Sequence, residues 1–555
     1  MERTKTSRVV HRLELSETGI YAYAAIYSIT LAELFPNEWN KDFNRRYLEL
    51  LCHSIGVNKK MKPVMFALAE GHSNQTQENY VELLIQDPLV KGKLIIIVQN
   101  LVMIGVQEGE YDARQRVLVR RISELLKVPF GLVELYEHSL IELLNHDIGV
   151  ISESEQGEVN RRDKIRKIKR YASVGIATIA GGTLVGLTGG LAAPFIGAGL
   201  GAILGSASAA AISTTVGVAI IGSLFGVAGA GLTGYKMNKR VGEVEEFSFV
   251  PLNEKLMTEE LHVAIAVTGW LTDEKEDNVV RPWNSLDITR EQYAVQYETK
   301  YLLELGQALD YILSMAVSVA TQEALKYTVL SSLMAAVTWP AALLSISSVI
   351  DNPWSVCCRR SSEVGKELAN VLRTRQHGKR PVTLVGFSLG ARVIFYCLRD
   401  LAEVGGAEGI VQDAIMLGAP VTSSKSQWEK YSRVVAGKII NGYCRADWLL
   451  KFLYRTLSMT TRVAGLLPVE CERIKNVDLS SIVTGHREYS EKLTELLQFV
   501  GVRTKDSLVM DLMKKSASAM SSIECSTPAV AESKMKLSKS DTCLPKVRSK
   551  VPDRS

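Results

Sequence analysis

The chain has 555 residues, 46% of them hydrophobic, and a formal net charge of +5, which allows several domains and at least one large core. The positive surplus is local: residues 161–170 ("RRDKIRKIKR") hold seven basic side chains and one acidic, and residues 501–555 eleven and six. Nucleic-acid binding calls for basic side chains spread over a folded face with aromatic residues between them, so charge confined to a linker and a tail argues against it.

The N-terminal stretch "MERTKTSRVVHRLELSETG" lacks the apolar core of a signal peptide, so membrane insertion is expected to be driven from inside the chain. Residues 1–150 read as a helical domain, with core-facing apolar spacing in "GIYAYAAIYSITLAELF", "KGKLIIIVQNLVMIG" and "YDARQRVLVRRISELL". No acid, base and nucleophile gather there, which suits a structural or docking module.

Residues 151–242 read as a basic linker and a glycine-rich membrane segment. From Tyr171 to Tyr235, 65 residues carry no charged side chain and sixteen are glycine. A bilayer core takes about 20 apolar residues per helix. Glycines four apart, as in Gly182, Gly186 and Gly190, let helix backbones approach closely in lipid. Basic residues flank the run on both sides, from Arg161 to Arg170 and at Lys236, Lys239 and Arg240. A helical hairpin with both ends in the cytosol satisfies them, with a shallow or re-entrant hairpin, or a helical hairpin buried in a soluble core, as the alternatives.

From residue 243 to 500 short β-branched runs alternate with helical ones, which predicts an α/β domain with a mainly parallel sheet. Candidate strands are 262–269, 381–386, 411–418, 437–444 and 477–485. The run at 327–350 ("YTVLSSLMAAVTWPAALLSISSVI") is also uncharged. A single span there would put the strands at 262 and 381 on opposite sides of a bilayer. It is expected to form a cap or to lie on the membrane surface, with a core helix broken at Pro340 as the alternative. Residues 501–555, rich in serine and lysine without periodicity, are expected to be disordered.

The chemistry centres on Gly386-Phe387-Ser388-Leu389-Gly390, a G-x-S-x-G pattern between a strand-like and a helix-like run. The turn is so tight that the residues two before and two after the serine must be nearly free of side chain. A serine hydroxyl needs a base, and His486 in "SSIVTGHREY" is the single histidine downstream. Asp447, in "GYCRADWLL", is the favoured acid, with Asp413 and Asp478 as rivals inside or at the start of strand-like runs. For an oxyanion, one backbone N–H would come from Leu389 and the other from Gly269, Trp270 or Leu271 in "VTGWL". Trp270 and Trp283 either line the pocket or pack in the core, and Arg392 either binds an anion or lies on a helix surface. The eight cysteines show no C-x-x-C pair or zinc-ligand spacing, which fits a reducing, cytosol-facing environment. No Walker loop, HExxH or EF-hand pattern is present, so neither cofactor nor metal is inferred.

Together "VTGWL", "VGFSLGAR", "MLGAP", "RADWLL" and "VTGHREY", behind a glycine-rich segment and a helical region containing "YDARQR", resemble the transmembrane and coiled-coil domain-containing protein 4 family, also called domain of unknown function 726. The resemblance covers roughly residues 15 to 500. It implies an α/β-hydrolase fold on a membrane protein, with Ser388, Asp447 and His486 as the triad. The expectation is then a membrane-anchored serine hydrolase that cleaves an acyl ester, with membrane lipids as partners and a lipid or acylated molecule as substrate. The alternative is a hydrolase-like scaffold in membrane trafficking that keeps the fold and does no chemistry.

Overall fold

The computed structural model of the chain describes residues 13, 15–73, 76–149, 215–225, 232–235, 244–254, 258–275, 277–324, 347–457 and 462–505. The first of these build a helical layer. Helix α1 (Glu17–Leu34) begins at Ser16, whose hydroxyl accepts the Gly19 N–H at 3.0 Å. Its sequence is apolar on nearly every side, and Tyr23, Ile26, Tyr27 and Leu31 are all fully buried. A helix of that composition belongs in the centre of a layer rather than on its surface. Around it lie α2 (Lys41–Ile55), α3 (Lys62–Ala69), α4 (Gln77–Ile85), α5 (Ile95–Val106), α6 (Ala113–Leu125) and α7 (Phe130–Gly149).

Helix α8 (Thr215–Phe225) comes from the uncharged run that the sequence assigns to the membrane segment. Ile221, Leu224 and Phe225 are buried in the core of the helical layer, and the Arg380 guanidinium lies 4.4 Å over the Phe225 ring. The Leu224 carbonyl accepts the Lys379 N–H at 3.0 Å. At Ile221, Leu224 and Phe225 the apolar side chains are covered by protein. No helix among the described residues is long and apolar enough to cross a membrane. Residues 171–214 and 226–231 of the expected hairpin, and 327–346 of the second apolar run, lie outside the described residues.

The second layer is a seven-stranded sheet. Its strands are β1 (Phe247–Pro251), β2 (Val263–Val267), β3 (Gln292–Tyr297), β4 (Val382–Phe387), β5 (Val411–Leu417), β6 (Ile439–Tyr443) and β7 (Ile474–Asp478). Their order is β1-β3-β2-β4-β5-β6-β7, with β1 antiparallel to β3 and every other pair parallel. The fold class is α/β, as expected. Strands β2, β4 and β5 are buried along their whole length, as strands covered on both faces must be. The run expected as a strand at 477–485 is one only up to Asp478; after it the chain turns, and the strand begins earlier, at Ile474.

Helices α9 (Thr299–Ala324) and α10 (Ser347–Arg373) belong to the crossover from β3 to β4; α11 (Leu389–Val404), α12 (Lys425–Ser432) and α13 (Trp448–Leu457) follow β4, β5 and β6. The short α14 (Glu488–Glu491) and α15 (Leu493–Val500) close the fold, and Thr504 still pairs with Leu286. The order of connection reverses between β2 and β4. In an open parallel sheet, a crevice forms there beyond the carboxyl ends of the strands.

The helical layer holds the opposite end of the sheet. Tyr111 N–H donates to Lys379 O at 2.8 Å, and Ala113 N–H to Gly409 O at 2.9 Å. Arg116 donates to Gln412 at 2.9 Å, Arg120 pairs with Asp413 at 3.2 Å, and His138 lies 3.0 Å from Glu260. Lys379, Gly409, Gln412 and Glu260 all precede or begin strands β4, β5 and β2.

Candidate active site

Ser388 ends β4 and caps α11 with φ +51° and ψ −123°, a backbone conformation rarely open to a residue with a side chain. Its N–H donates to Leu417 O at 2.8 Å, and its carbonyl accepts the Arg392 N–H at 3.0 Å, so both backbone groups are fixed. Its side chain makes no capping bond. The turn closes only because Gly386 and Gly390 lack side chains. A Cβ on Gly386 would stand 2.8 Å from Gly390 C, and one on Gly390 would overlap the Val267 carbonyl at the end of β2.

Ser388 Oγ lies 2.6 Å from His486 Nε2, and His486 Nδ1 lies 2.6 Å from Asp447 Oδ2. The carboxylate can only accept, so Nδ1 carries the proton and Nε2 is left to accept the serine hydroxyl. Asp447 is held from its other oxygen: it is the residue before α13, and Oδ1 accepts the Leu450 N–H at 3.0 Å. This is an N-cap bond, and it aims Oδ2 at the imidazole. Ser388 is 1% exposed and Asp447 and His486 are 0% exposed. A substrate therefore reaches the hydroxyl only when covering side chains move.

The rival carboxylates lie elsewhere. Asp413 pairs with Thr383 near the start of β4, far from Ser388. There it accepts the Lys438 N–H at 2.6 Å and binds Arg120. Asp478 accepts the Ser480 N–H at 3.0 Å and pairs with Arg445 at 3.4 Å.

The loop after β2 crosses directly under the serine turn. A Cβ on Gly269 would be 2.5 Å from Phe387 O and 2.7 Å from Ser388 Cβ. Thr268 anchors this loop: its carbonyl accepts Tyr297 Oη–H at 2.8 Å and its hydroxyl accepts Trp283 Nε1–H at 2.9 Å. Of the three donor candidates, Leu271 is committed, since its N–H donates to Leu302 O of α9 at 3.2 Å. Gly269 and Trp270 remain, opposite the Leu389 N–H in the unbonded first turn of α11. The Trp270 ring lies 5.3 Å from His486 and 5.1 Å from Phe387, whereas Trp283 is core. Tyr489 covers the imidazole from another side at 5.5 Å. Burial raises its phenol pKa, and the nearby Asp447 carboxylate raises it further.

Arg392 binds no open anion site. Its guanidinium donates to Cys358 O at 3.0 Å, Pro420 O at 2.9 Å, Tyr396 Oη at 3.2 Å and Ser362 Oγ at 3.3 Å, tying α10 to α11 and to the loop after β5. The six described cysteines are free thiols. Sequence reasoning missed Gly306 of α9, where a Cβ would overlap the Leu271 carbonyl oxygen. A lone glycine within the helical run "LLELGQALDY" is the signal that points to such a close approach.

The family model described as "Protein of unknown function (DUF726)" matches residues 166–503. An uncharacterized membrane protein of Caenorhabditis elegans is 47% identical over 434 residues, which cover 76% of this chain and 70% of that one. The transmembrane and coiled-coil domain-containing protein STS1 of Oryza sativa is 39% identical over 71% of this chain and 61% of its own length. A Saccharomyces cerevisiae protein named probable lipase MIL1 is 29% identical over 75% of this chain and 39% of its own. The chain thus spans less than two thirds of the rice and yeast relatives. No solved structure matches. With the family model covering more than half of its residues, the chain belongs to the DUF726 family.

Proposed function

We propose that the protein is a membrane-anchored serine hydrolase of α/β-hydrolase fold that cleaves an acyl ester through Ser388, His486 and Asp447. The observation that carries this is the pair of 2.6 Å hydrogen bonds running from a serine at positive φ, through one imidazole, to a carboxylate that caps a helix. In the reaction, Ser388 Oγ bonds to the acyl carbon while His486 Nε2 takes its proton. The oxyanion receives N–H groups from Leu389 and from Gly269 or Trp270. His486 then protonates the departing alcohol oxygen, leaving an acyl-serine. Water, deprotonated by His486, attacks that ester, and the acid leaves as the proton returns to Ser388. Asp447 holds the tautomer and stabilises the imidazolium.

A lipid or acylated molecule is the substrate class that suits a chain with a long uncharged glycine-rich run, relatives named as membrane proteins and one named a probable lipase. The basic flanks of that run favour a cytosol-facing site. The test is a fluorophosphonate probe applied to membranes holding the wild-type protein or Ser388→Ala. Labelling of the wild type alone supports the reading; folded wild-type protein that stays unlabelled refutes it.

A further inference from the structure

Behind the indole of Trp270 lies a cavity of about 230 Å³, between the loop after β2 and helices α14 and α15. Its walls include Trp270, Asn278, Arg281, Ser490, Glu491 and Thr494. Trp270 is 4% exposed, and its ring lies 5.3 Å from the His486 ring and tilts 31° from it. Trp270 is therefore both a wall of this cavity and a ring neighbour of the imidazole that, under the proposed function, protonates the leaving alcohol.

The walls are polar but carry no free charge. Arg281 is paired with Asp273 at 2.8 Å, and Glu491 with Arg487 at 2.9 Å. Asn278 Nδ2 donates to Asp273 O at 2.8 Å, which leaves its Oδ1 as an acceptor. Thr494 donates to Ser285 Oγ at 2.8 Å and keeps its lone pairs. With each charged group neutralised locally, an anionic head group gains little here, while several hydroxyls could each find a donor or an acceptor. At about 30 Å³ for each water in the liquid, the volume holds roughly seven waters, enough for an alcohol of glycerol size.

We infer that this cavity is the subsite for the alcohol half of the ester, that it takes a neutral, hydroxyl-bearing alcohol, and that Trp270 is the partition that must swing aside to join it to Ser388. The inference rests on the hydrolase reading and gives it a substrate class: an acyl ester of a small polyol. Ser388 Oγ forms the acyl bond, the carbon–oxygen bond to the polyol breaks, and the polyol oxygen takes the proton from His486 as it enters the cavity.

The experiment measures binding of 1-monooleoylglycerol and of methyl oleate, in matched detergent micelles, to full-length Ser388→Ala protein. The two esters share an acyl chain and differ in hydroxyls. The expected result is about tenfold tighter binding of the glycerol ester, the scale of one or two net hydrogen bonds. Thr494→Val, which keeps the side chain's shape, should cut the preference severalfold, and Ser490→Tyr, which fills the cavity, should abolish it. Equal affinity for the two esters, or a preference untouched by both changes, overturns the subsite. Hydrolysis by the wild type is measured in parallel. If neither ester is cleaved while the preference holds, the hydrolase reading fails and the subsite stands; cleavage without preference has the reverse meaning.

Discussion

Replacing Gly306 with alanine tests whether α9 sets the position of the oxyanion loop. The new Cβ would overlap the Leu271 carbonyl oxygen and lie 2.9 Å from its carbon and 3.6 Å from Trp270 Cδ1. Carbon and oxygen atoms rest comfortably at about 3.5 Å, so α9 and the loop must part by more than about 1 Å. The loop cannot move the other way, because Gly269 already touches Phe387 O and Ser388 Cβ. The hydrogen bond from Leu271 N–H to Leu302 O, 3.2 Å long, would break or tilt, carrying the Trp270 N–H with it. Overpacking of this kind costs about 1–3 kcal/mol, less up to about 1 kcal/mol returned by alanine's better helix propensity. A misplaced donor of about 1 Å lowers turnover by about 100-fold. The assay is thermal unfolding together with kcat and KM on a soluble acyl ester. A variant with unchanged Tm and kcat within threefold of wild type would show that α9 does not press on this loop.

Three further substitutions probe the hydrogen-bond relay and the docked domain. Asp447→Asn keeps the cap on α13 but offers an amide to His486, so labelling and hydrolysis should fall by about 10⁴-fold with Tm nearly unchanged; a loss below tenfold contradicts the assigned tautomer. Ser388→Gly should unfold at higher denaturant than Ser388→Ala, by about 1 kcal/mol, because glycine alone is relaxed at φ +51°; equal stabilities would mean that the turn is not strained. At His138, burial lowers the pKa, as does Arg290, but hydrogen bonds to Glu142 and Glu260 outweigh both and raise it to about 9. A raised pKa contributes stability that is complete below the unfolded value of about 6.5 and disappears as pH rises through 9. Wild type should therefore lose about 1–3 kcal/mol relative to His138→Gln between pH 6 and 10 in paired unfolding titrations; parallel pH curves would exclude a charged His138.

What the sequence shows and what it hides follow from the range of the forces involved. The serine turn is legible because its steric demand falls on neighbours two residues away, Gly386 and Gly390. His486 and Asp447 stand out because few candidates remain after the turn is found, and a loop after a strand is where each must lie. The second donor stays ambiguous in the sequence, since only the α9 carbonyl of Leu302 decides that Leu271 is occupied. Strands β1 and β3 are harder to see. "FSFVP" belongs to an edge strand with partly exposed residues, and "QYAVQY" carries a glutamine near each end although five of its six residues are buried. The apolar side chains Ile221, Leu224 and Phe225 of α8 show why apolarity by itself does not separate a membrane segment from a core helix: both environments favour the same residues.

The two layers divide the work between opposite ends of the sheet, and this gives a last test. Arg116 of α6 is 3% exposed and Glu137 of α7 is equally buried; they pair at 2.9 Å, Tyr111 donates to Glu137 at 2.8 Å, and Arg116 reaches Gln412 at the start of β5. Glu137→Gln removes the nearer counter-charge of the buried guanidinium and leaves it only Glu134, 3.9 Å away, a change that costs about 3 kcal/mol, the lower end for a broken buried pair. Ser388, at the carboxyl end of β4, shares no hydrogen bond with this cluster among the described residues. The variant should thus unfold far more easily while the folded fraction, separated by size, is labelled at Ser388 at the wild-type rate. A labelling rate that fell in step with stability would mean that the helical layer shapes the site through the sheet.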